Sequence, residues 1–330
     1  MNNHKGYYGG IGIKAFIQND VPIFVFGDGT IFWGDKKFEA LESGAIDAQI
    51  CSNSGNLIIL GDDGSLKKIS PKGAINKLNN IDFGFADCLI ANKKRGIFAI
   101  SASRKVFVIK STGETLFEFT PPMSPNAINF DLAGENLVVG YGNGLVIYDL
   151  KSNEPPIELK AQGGVIAASF SPDLCFLVAA TGEPALIGWR LHDGVAFRMA
   201  GYPAKPTSFA WFNEGKSLVT SGGPVGVVWP FTGSEGPMGT RAETYRTRNS
   251  IVSAVNCAAK NLVLGYLDGG LDLIDLETGN HAFLAGEKPQ IEGQIDLRNG
   301  SGQIISIAIS TNGRFIAWIA ENGHFGSLRV

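Results

Sequence analysis

The 330-residue sequence is poor in the side chains that most catalytic and metal sites use. It has four histidines, none close to another, and no Gly-x-Ser-x-Gly nucleophile motif. Its four cysteines, Cys51, Cys88, Cys175 and Cys257, show no C-x-x-C spacing. We therefore predict a non-catalytic protein with no metal site, no cofactor and free thiols buried in or near strands.

Charge is also scarce, at 18% of the residues, and the net charge is −3. A surface for nucleic acid normally carries a basic excess, so we expect no nucleic-acid partner. No window approaches the roughly 20 apolar residues that cross a bilayer, so we expect no membrane association. The first ten residues contain no apolar stretch typical of a signal peptide, and we predict a cytoplasmic monomer.

Glycine is abundant, at 43 residues, and it marks a repeat along the chain. Each unit has an apolar strand, then a Gly/Asp/Asn turn, then another β-rich strand. The turns are separated by 35, 40, 40, 40, 40, 45 and 54 residues. A period near 40 is the length of one propeller blade. The turn tips are Asp28, Asp63, Ser103, Asn143, Glu183, Gly223, Asp268 and Asn322.

The strands before these turns are short, apolar runs, as expected for strands covered on both faces. Several turns are Asp-Gly or Asn-Gly dipeptides, which supply the positive φ angles of tight hairpins. These dipeptides are Asp28-Gly29, Asp63-Gly64, Asn143-Gly144, Asp268-Gly269 and Asn322-Gly323.

The repeat predicts an all-β fold, a single β-propeller domain over residues 1–330. Residues 14–17 align with residues 47–50, which favours eight four-stranded blades over the alternative of seven. The last unit ends at Val330, just after its third strand. We predict that residues around His4–Tyr8 supply the missing outer strand, which would also protect sheet edges.

Several segments resemble the WD-repeat family. Phe170-Ser171-Pro172-Asp173 is typical of its first turn, and residues 265–271 resemble its hairpin. Third strands end in degenerate forms of the Trp-Asp signature, as in Trp189-Arg190. No true Trp-Asp and no preceding Gly-His occur, so the family's Asp-His-Ser/Thr-Trp network is mostly missing. We therefore expect apolar packing and backbone ladders to hold the blades. Residues 111–114 and 275–279 also echo quinone-cofactor propellers, whose members are usually exported.

The two long steps of the repeat indicate added residues, in about Gly236–Ser250 and Gly286–Gly302. Both segments are predicted to join the outer strand of one unit to the inner strand of the next. In WD-repeat propellers such connections share one face with the second-third strand hairpins. Loops longer than the scaffold needs are often functional.

The first added segment is rich in residue types that dominate protein interfaces. We predict partner binding by Arg241, Tyr245, Arg246 and Arg248, with Tyr141 and Tyr266 on the same face. A solvated loop whose arginines keep the protein soluble explains the segment equally well. On the binding hypothesis the loop lies outside the core, and the partner is a protein with a partly acidic surface. Residues 213–216 are predicted to lie on the opposite face.

The sequence thus favours a non-catalytic, WD-repeat-like scaffold that binds proteins through one face of the propeller. The alternative is a small-molecule or enzymatic site at the mouth of the central channel. That alternative requires carboxylates or histidines that converge on the axis, and the sequence shows no sign of them.

Overall fold

A computed structural model describes residues 4–78, 85–152, 154–286 and 302–330. The strands form eight four-stranded antiparallel sheets. Within the described ranges the one helical element is a short 3-10 turn, Asn213–Gly215. We call each sheet a blade. The predicted all-β fold and the predicted count of eight are confirmed.

The chain begins with β1 (His4–Tyr7), which belongs to blade 8. Blades 1 to 4 each take four consecutive strands of the chain. They are β2 (Gly12–Gln18), β3 (Val21–Phe26), β4 (Thr30–Trp33), β5 (Lys36–Glu39); β6 (Ala45–Ile50), β7 (Leu57–Gly61), β8 (Leu66–Ile69), β9 (Ile75–Lys77); β10 (Ala86–Asn92), β11 (Ile97–Ala102), β12 (Lys105–Lys110), β13 (Thr115–Phe119); and β14 (Ala127–Phe130), β15 (Asn136–Tyr141), β16 (Gly144–Asp149), β17 (Ile157–Lys160).

Blades 5 to 7 follow the same plan, and blade 8 has three consecutive strands together with β1. The strands are β18 (Val165–Phe170), β19 (Phe176–Thr181), β20 (Leu186–Arg190), β21 (Ala196–Met199); β22 (Phe209–Phe212), β23 (Ser217–Thr220), β24 (Gly226–Pro230), β25 (Glu243–Tyr245); β26 (Val252–Ala258), β27 (Asn261–Tyr266), β28 (Leu271–Asp275), β29 (His281–Ala285); and β30 (Ile304–Ile309), β31 (Phe315–Ala320), β32 (His324–Arg329).

The blades fall into two compact units. The first comprises residues 1–27, 31–37 and 200–330, and it holds most of blade 1 with blades 6, 7 and 8. The second comprises residues 28–30 and 38–199, and it holds blades 2 to 5.

The outer strand of blade 8 comes from the N-terminal segment, as predicted. Strand β1 pairs antiparallel with β32, with His4 opposite Ser327 and Tyr7 opposite His324. Gly6 allows this close pairing, because a Cβ there would lie 2.6 Å from the Phe325 ring. The next residue after β1, Tyr8, packs its ring edge against Phe26. The segment therefore contributes both ladder hydrogen bonds and aromatic packing.

The hairpins between second and third strands occur at all eight predicted tips. Gly29 and Gly269 have φ values of 81° and 79°, as the Asp-Gly turns require. Asn143-Gly144 differs, because Gly144 lies in β16 without a positive φ. A Cβ at Gly144 would lie 2.5 Å from the Leu159 carbonyl oxygen, so glycine is needed there for close approach.

Apolar side chains fill the space between successive blades within each unit. Between blades 3 and 4, for example, Ala99 and Val108 pack in one buried cluster with Val139 and Val146. The second strands β7, β11 and β19 are buried along their whole length. Burial on both faces explains why these strands read as continuous apolar runs.

Side-chain hydrogen bonds between neighbouring blades add to this packing. These bonds were not predicted from the sequence. Inner strands donate side-chain amides to backbone carbonyls of the next inner strand. These bonds are Gln49 Nε2 to Leu89 O at 3.1 Å, Asn129 Nδ2 to Ala168 O at 2.9 Å and Asn256 Nδ2 to Ile307 O at 2.8 Å. Backbone ladders and apolar packing hold the blades, as expected, and these amide hydrogen bonds between neighbouring blades add to them.

Candidate interaction surfaces

Each blade has two ends. The hairpin end carries the turn between its second and third strands and the connection to the next blade. The turn end carries the first-second and third-fourth strand turns. This division follows from the antiparallel strand order.

The added residues of blade 6 lie elsewhere than predicted. Residues 231–242 come before the outer strand β25, not after it, so they belong to the turn end. Strand β25 pairs Tyr245 with Gly226 and Glu243 with Val228. Arg241 therefore precedes β25 at the turn end, whereas Arg246 follows it at the hairpin end. Residues 213–216 were predicted to lie on the face opposite the arginines, but they lie between β22 and β23, at the same end as Arg241 and opposite only to Arg246.

The second added segment, Gly286–Gly302, begins directly after β29, and its last residue lies just before β30. Its residues 287–301 lie outside the described residues.

Arg248 is buried, with 2% of its surface exposed. Its Nη2 donates to Asp272 Oδ1 at 2.6 Å and its Nε to Asp272 Oδ2 at 3.1 Å. Its Nη1 also lies 3.4 Å from Asp268 Oδ2. The guanidinium carbon lies 4.8 Å from the Tyr266 ring centroid and 5.1 Å from that of Phe283. Arg248 thus binds the connection before blade 7 to that blade's second, third and outer strands.

Thr247 completes this cluster, which we call the Arg248 network: Thr247, Arg248, Tyr266, Asp268 and Asp272. The Thr247 hydroxyl is hydrogen-bonded to the Tyr266 hydroxyl and donates to Asp272 Oδ2. Burial raises the pKa of Tyr266, so its hydroxyl stays neutral at physiological pH. The prediction that the loop lies outside the core was wrong for Arg248. Its side chain and that of Tyr266, which has no exposed surface, are engaged within blade 7.

Three of the predicted side chains in this segment remain open to a partner. Arg241 and Arg246 are exposed, and Tyr245 is half-buried. The Tyr245 hydroxyl donates to Glu243 Oε2 at 2.9 Å, and Arg246 donates to the Asn249 side chain. Arg246 is therefore displayed by the connection that the Arg248 network holds.

Blade 4 has a groove of about 740 Å³ at its hairpin end. Its walls are the connection from blade 3, the β15–β16 hairpin, the outer strand β17 and the connection to blade 5. The lining residues are Pro122, Met123, Tyr141, Asn143, Glu158, Lys160, Ala161, Gln162 and Gly163.

Tyr141 lies deep in this groove and is 5% exposed, which corrects the expectation of a surface tyrosine. Burial, with a smaller contribution from the Glu158 carboxylate, raises the pKa of Tyr141. Met123 is 43% exposed at the rim. Its methyl group lies over Gly142, where an added Cβ would come within 3.1 Å of Met123 Cε. The groove therefore combines apolar walls with a buried phenol.

In the part of the chain that the structure describes, no three His, Cys, Asp or Glu side chains are grouped to hold a metal ion. The cysteines are all free; Cys51 and Cys257 are buried, as predicted, and Cys88 is half-buried. Cys175 is exposed, because it lies in the turn between β18 and β19 rather than in a strand. Among the residues described, no helix is both long and apolar enough to cross a membrane.

The residues that contact Arg248 and Tyr141 were not identified from the sequence. Asp272 lies in β28, 24 residues after Arg248, and nothing in its local sequence distinguishes it from a polar strand residue. Met123 follows two prolines in what reads as an ordinary connection. The one sequence feature that pointed to these two sites was the matching position of Tyr141 and Tyr266 in the repeat.

No protein-family model and no curated protein matches the sequence. The structure is similar to that of a computationally designed protein, Ika8, with a TM-score of 0.76 and 15% identity over 98% of each chain. It is similar to the C-terminal WD40 domain of Sif2, with a TM-score of 0.73 and 12% identity over 99% of this chain and 98% of that chain. It is also similar to a chain of the Mitotic Checkpoint Complex, with a TM-score of 0.67 and 14% identity over 84% of this chain and 88% of that chain.

Identities this low show the fold alone. Together with the eight four-stranded sheets, they show a WD-repeat-like β-propeller of eight blades. The resemblance drawn from the degenerate repeat is thereby confirmed at the level of fold.

Proposed function

We propose that this chain is a non-catalytic scaffold, a single-domain cytoplasmic monomer that binds a protein partner at the hairpin end between blades 6 and 7. The observation that carries the proposal is the Arg248 network, which holds the connection that displays Arg246. Proteins of WD-repeat fold, one of them in a checkpoint complex, are consistent with a scaffold.

A held connection favours binding, because a partner then meets side chains that are already ordered. Ordering a loop on association costs free energy, and a buried ion pair that fixes it beforehand removes part of that cost. Arg246 is exposed and lies directly beside half-buried Tyr245. Arginine and tyrosine are enriched among the residues that dominate interface affinity.

The charge of Arg246 indicates the partner's chemistry. An exposed guanidinium forms paired hydrogen bonds with carboxylates, so the partner surface is at least partly acidic. The acidic members of the Arg248 network are engaged by Arg248 itself, with Asp272 1% exposed. Arg246 therefore carries the positive charge that this connection presents.

The test uses the purified full chain as bait in extract from its native cells, followed by calorimetry with the purified partner. We expect Arg246→Glu to weaken binding at least tenfold, which corresponds to about 1.4 kcal/mol. The matched control is Arg241→Glu, the same charge change at the turn end of the same blade, and it should leave affinity unchanged. Thermal melts of both variants check that each is folded.

Loss of binding by Arg241→Glu with full binding by Arg246→Glu would show that the turn end is the binding surface. Unchanged binding by both would show that blade 6 is not involved. Turnover of a substrate by the purified chain, abolished by substitution of its own side chains, would contradict the non-catalytic part of the proposal.

A further inference from the structure

The groove of blade 4 has no part in the proposal for blades 6 and 7, yet it has the features of a binding site. Its volume of about 740 Å³ lies within the range of roughly 300–1,000 Å³ seen for ligand pockets. Such pockets combine apolar walls with a few placed polar groups. Pro122, Met123 and Ala161 supply the apolar part here.

The Tyr141 hydroxyl is a hydrogen-bond donor placed within this groove. The residue as a whole is 95% buried, while its hydroxyl oxygen stays accessible from the groove. The raised pKa keeps it protonated, so it has a proton to donate. Its counterpart Tyr266 differs, because its hydroxyl is hydrogen-bonded to Thr247. A hydroxyl that donates into a mostly apolar groove can fix the orientation of a ligand's acceptor group, as the few polar groups of ligand pockets do.

The charged residues of the groove balance each other. Glu158 and Lys160 lie two residues apart on β17, so their side chains emerge on the same face of the strand. One negative and one positive group give the lining no net charge. The groove therefore suits an uncharged ligand, unlike the connection that carries Arg246.

Met123 indicates an apolar group on that ligand. Its side chain is flexible and polarisable, and methionine is common at surfaces that adapt to several partners. It lies at the rim over the backbone of Gly142, where a ligand side chain that enters the groove meets it.

We propose that the blade 4 groove is a second docking site, which takes an extended, uncharged peptide segment through a backbone carbonyl that accepts from Tyr141 Oη and an apolar side chain that packs on Met123. An extended peptide presents both groups together. Its side chains alternate in direction, so one carbonyl reaches inward while a neighbouring side chain lies along the rim.

The test follows the methionine methyl groups by NMR in protein labelled at methionine. The sequence has four methionines: Met1, Met123, buried Met199 and exposed Met238, and Met123→Leu assigns the resonance. The probe is a capped, uncharged peptide of alternating leucine and serine. We expect a saturable shift of the Met123 signal with no shift of Met238.

Tyr141→Phe removes only the hydroxyl, and it should weaken probe binding about three- to tenfold, the effect of one neutral hydrogen bond. The control is Tyr148→Phe, a nearby half-buried tyrosine outside the groove lining, which should bind as the unaltered protein does. Thermal melts confirm folding of both variants.

Three outcomes would overturn the proposal. The first is absence of a Met123 shift at millimolar probe. The second is equal binding by Tyr141→Phe, which would leave the hydroxyl without a role. The third is an equal Met123 shift with isoamyl alcohol, which has the leucine side chain without a backbone, because the groove would then be a small-molecule site.

Discussion

Arg248 and Asp272 form a two-point ion pair, with nitrogen–oxygen distances of 2.6 and 3.1 Å, although the two side chains are only 2% and 1% exposed. The two residues come from different elements, since Arg248 lies in the connection after blade 6 and Asp272 in a central strand of blade 7. Burial makes the pair costly to break, because either charge alone would be left without water or partner.

We therefore expect Arg248→Ala to lower the free energy of unfolding by about 3–5 kcal/mol, since it leaves the Asp272 carboxylate buried and unpaired. Arg246→Ala, two residues away and exposed, should change it by no more than about 0.5 kcal/mol. Urea denaturation of both variants measures the difference.

The double variant Arg248→Met with Asp272→Leu should recover most of the lost stability, because no buried charge is then unpaired. If Arg248→Ala unfolds at the same urea concentration as Arg246→Ala, the pair does not stabilise the blade.

The fold was predictable because its signals are local and repeated. Turns recur near every 40 residues, five of the eight as Asp-Gly or Asn-Gly, and short apolar runs precede them. The surroundings of the candidate binding residues were not predictable, because Arg246 and Arg248 look alike in sequence. Only the distant Asp272 decides that Arg248 is buried while Arg246 faces solvent. Likewise, the outer strand Glu243–Tyr245 has no apolar pattern, so the added residues were placed after it instead of before it.

The N-terminal strand should be needed for full stability. Deleting residues 1–10 removes β1 with its ladder to β32 and also the Tyr8 ring that packs on Phe26. We expect a loss of at least about 2 kcal/mol, or roughly 3 °C in melting temperature for a domain of this size. The variant should also aggregate more readily, because β32 becomes an unprotected edge. An unchanged melting temperature would contradict this role.

The cysteines should differ sharply in reactivity towards iodoacetamide at pH 8. Cys175 is exposed and should be alkylated in the folded protein, although more slowly than a fully solvated thiol, because partial burial and Asp173 raise its pKa. Burial raises the pKa of Cys51 to about 11 and that of Cys257 to about 12, so neither is a thiolate at this pH. Both should react only after denaturation. Mass spectrometry of peptides from folded and urea-treated protein measures each site, and early labelling of Cys257 would show that its strand opens.

Tyr202 should make the protein sensitive to alkali. Its hydroxyl accepts from Trp229 Nε1 at 2.6 Å and is hydrogen-bonded to Thr220 at 2.7 Å. Burial raises the pKa of Tyr202 from 10 to about 12. The folded state thus favours the neutral phenol, and this stabilisation is complete below pH 10 and lost as pH rises towards 12.

Tyr202→Phe should therefore be less stable by about 1–3 kcal/mol at pH 8, because Trp229 loses its acceptor. The difference in free energy of unfolding between the two proteins should become smaller when the melts are repeated at pH 11. A difference that is constant with pH would show that the Tyr202 hydroxyl has the same pKa in the folded and unfolded states, and so would contradict the raised pKa.

Gly270 should be required for Arg248 to occupy its site. A Cβ at Gly270 would lie 1.9 Å from Arg248 Nη1 and 2.2 Å from Cζ, closer than atoms can approach. In Gly270→Ala the guanidinium must leave Asp272, so the loss of stability should approach that of Arg248→Ala. Once Arg248 is already alanine, the same glycine change should cost little, because the clashing atoms are gone. A double-mutant cycle by urea denaturation should give a coupling close to the loss caused by Gly270→Ala alone, about 3–5 kcal/mol. Additive losses would mean that the backbone moves aside instead, and that the connection displaying Arg246 is not held by this contact.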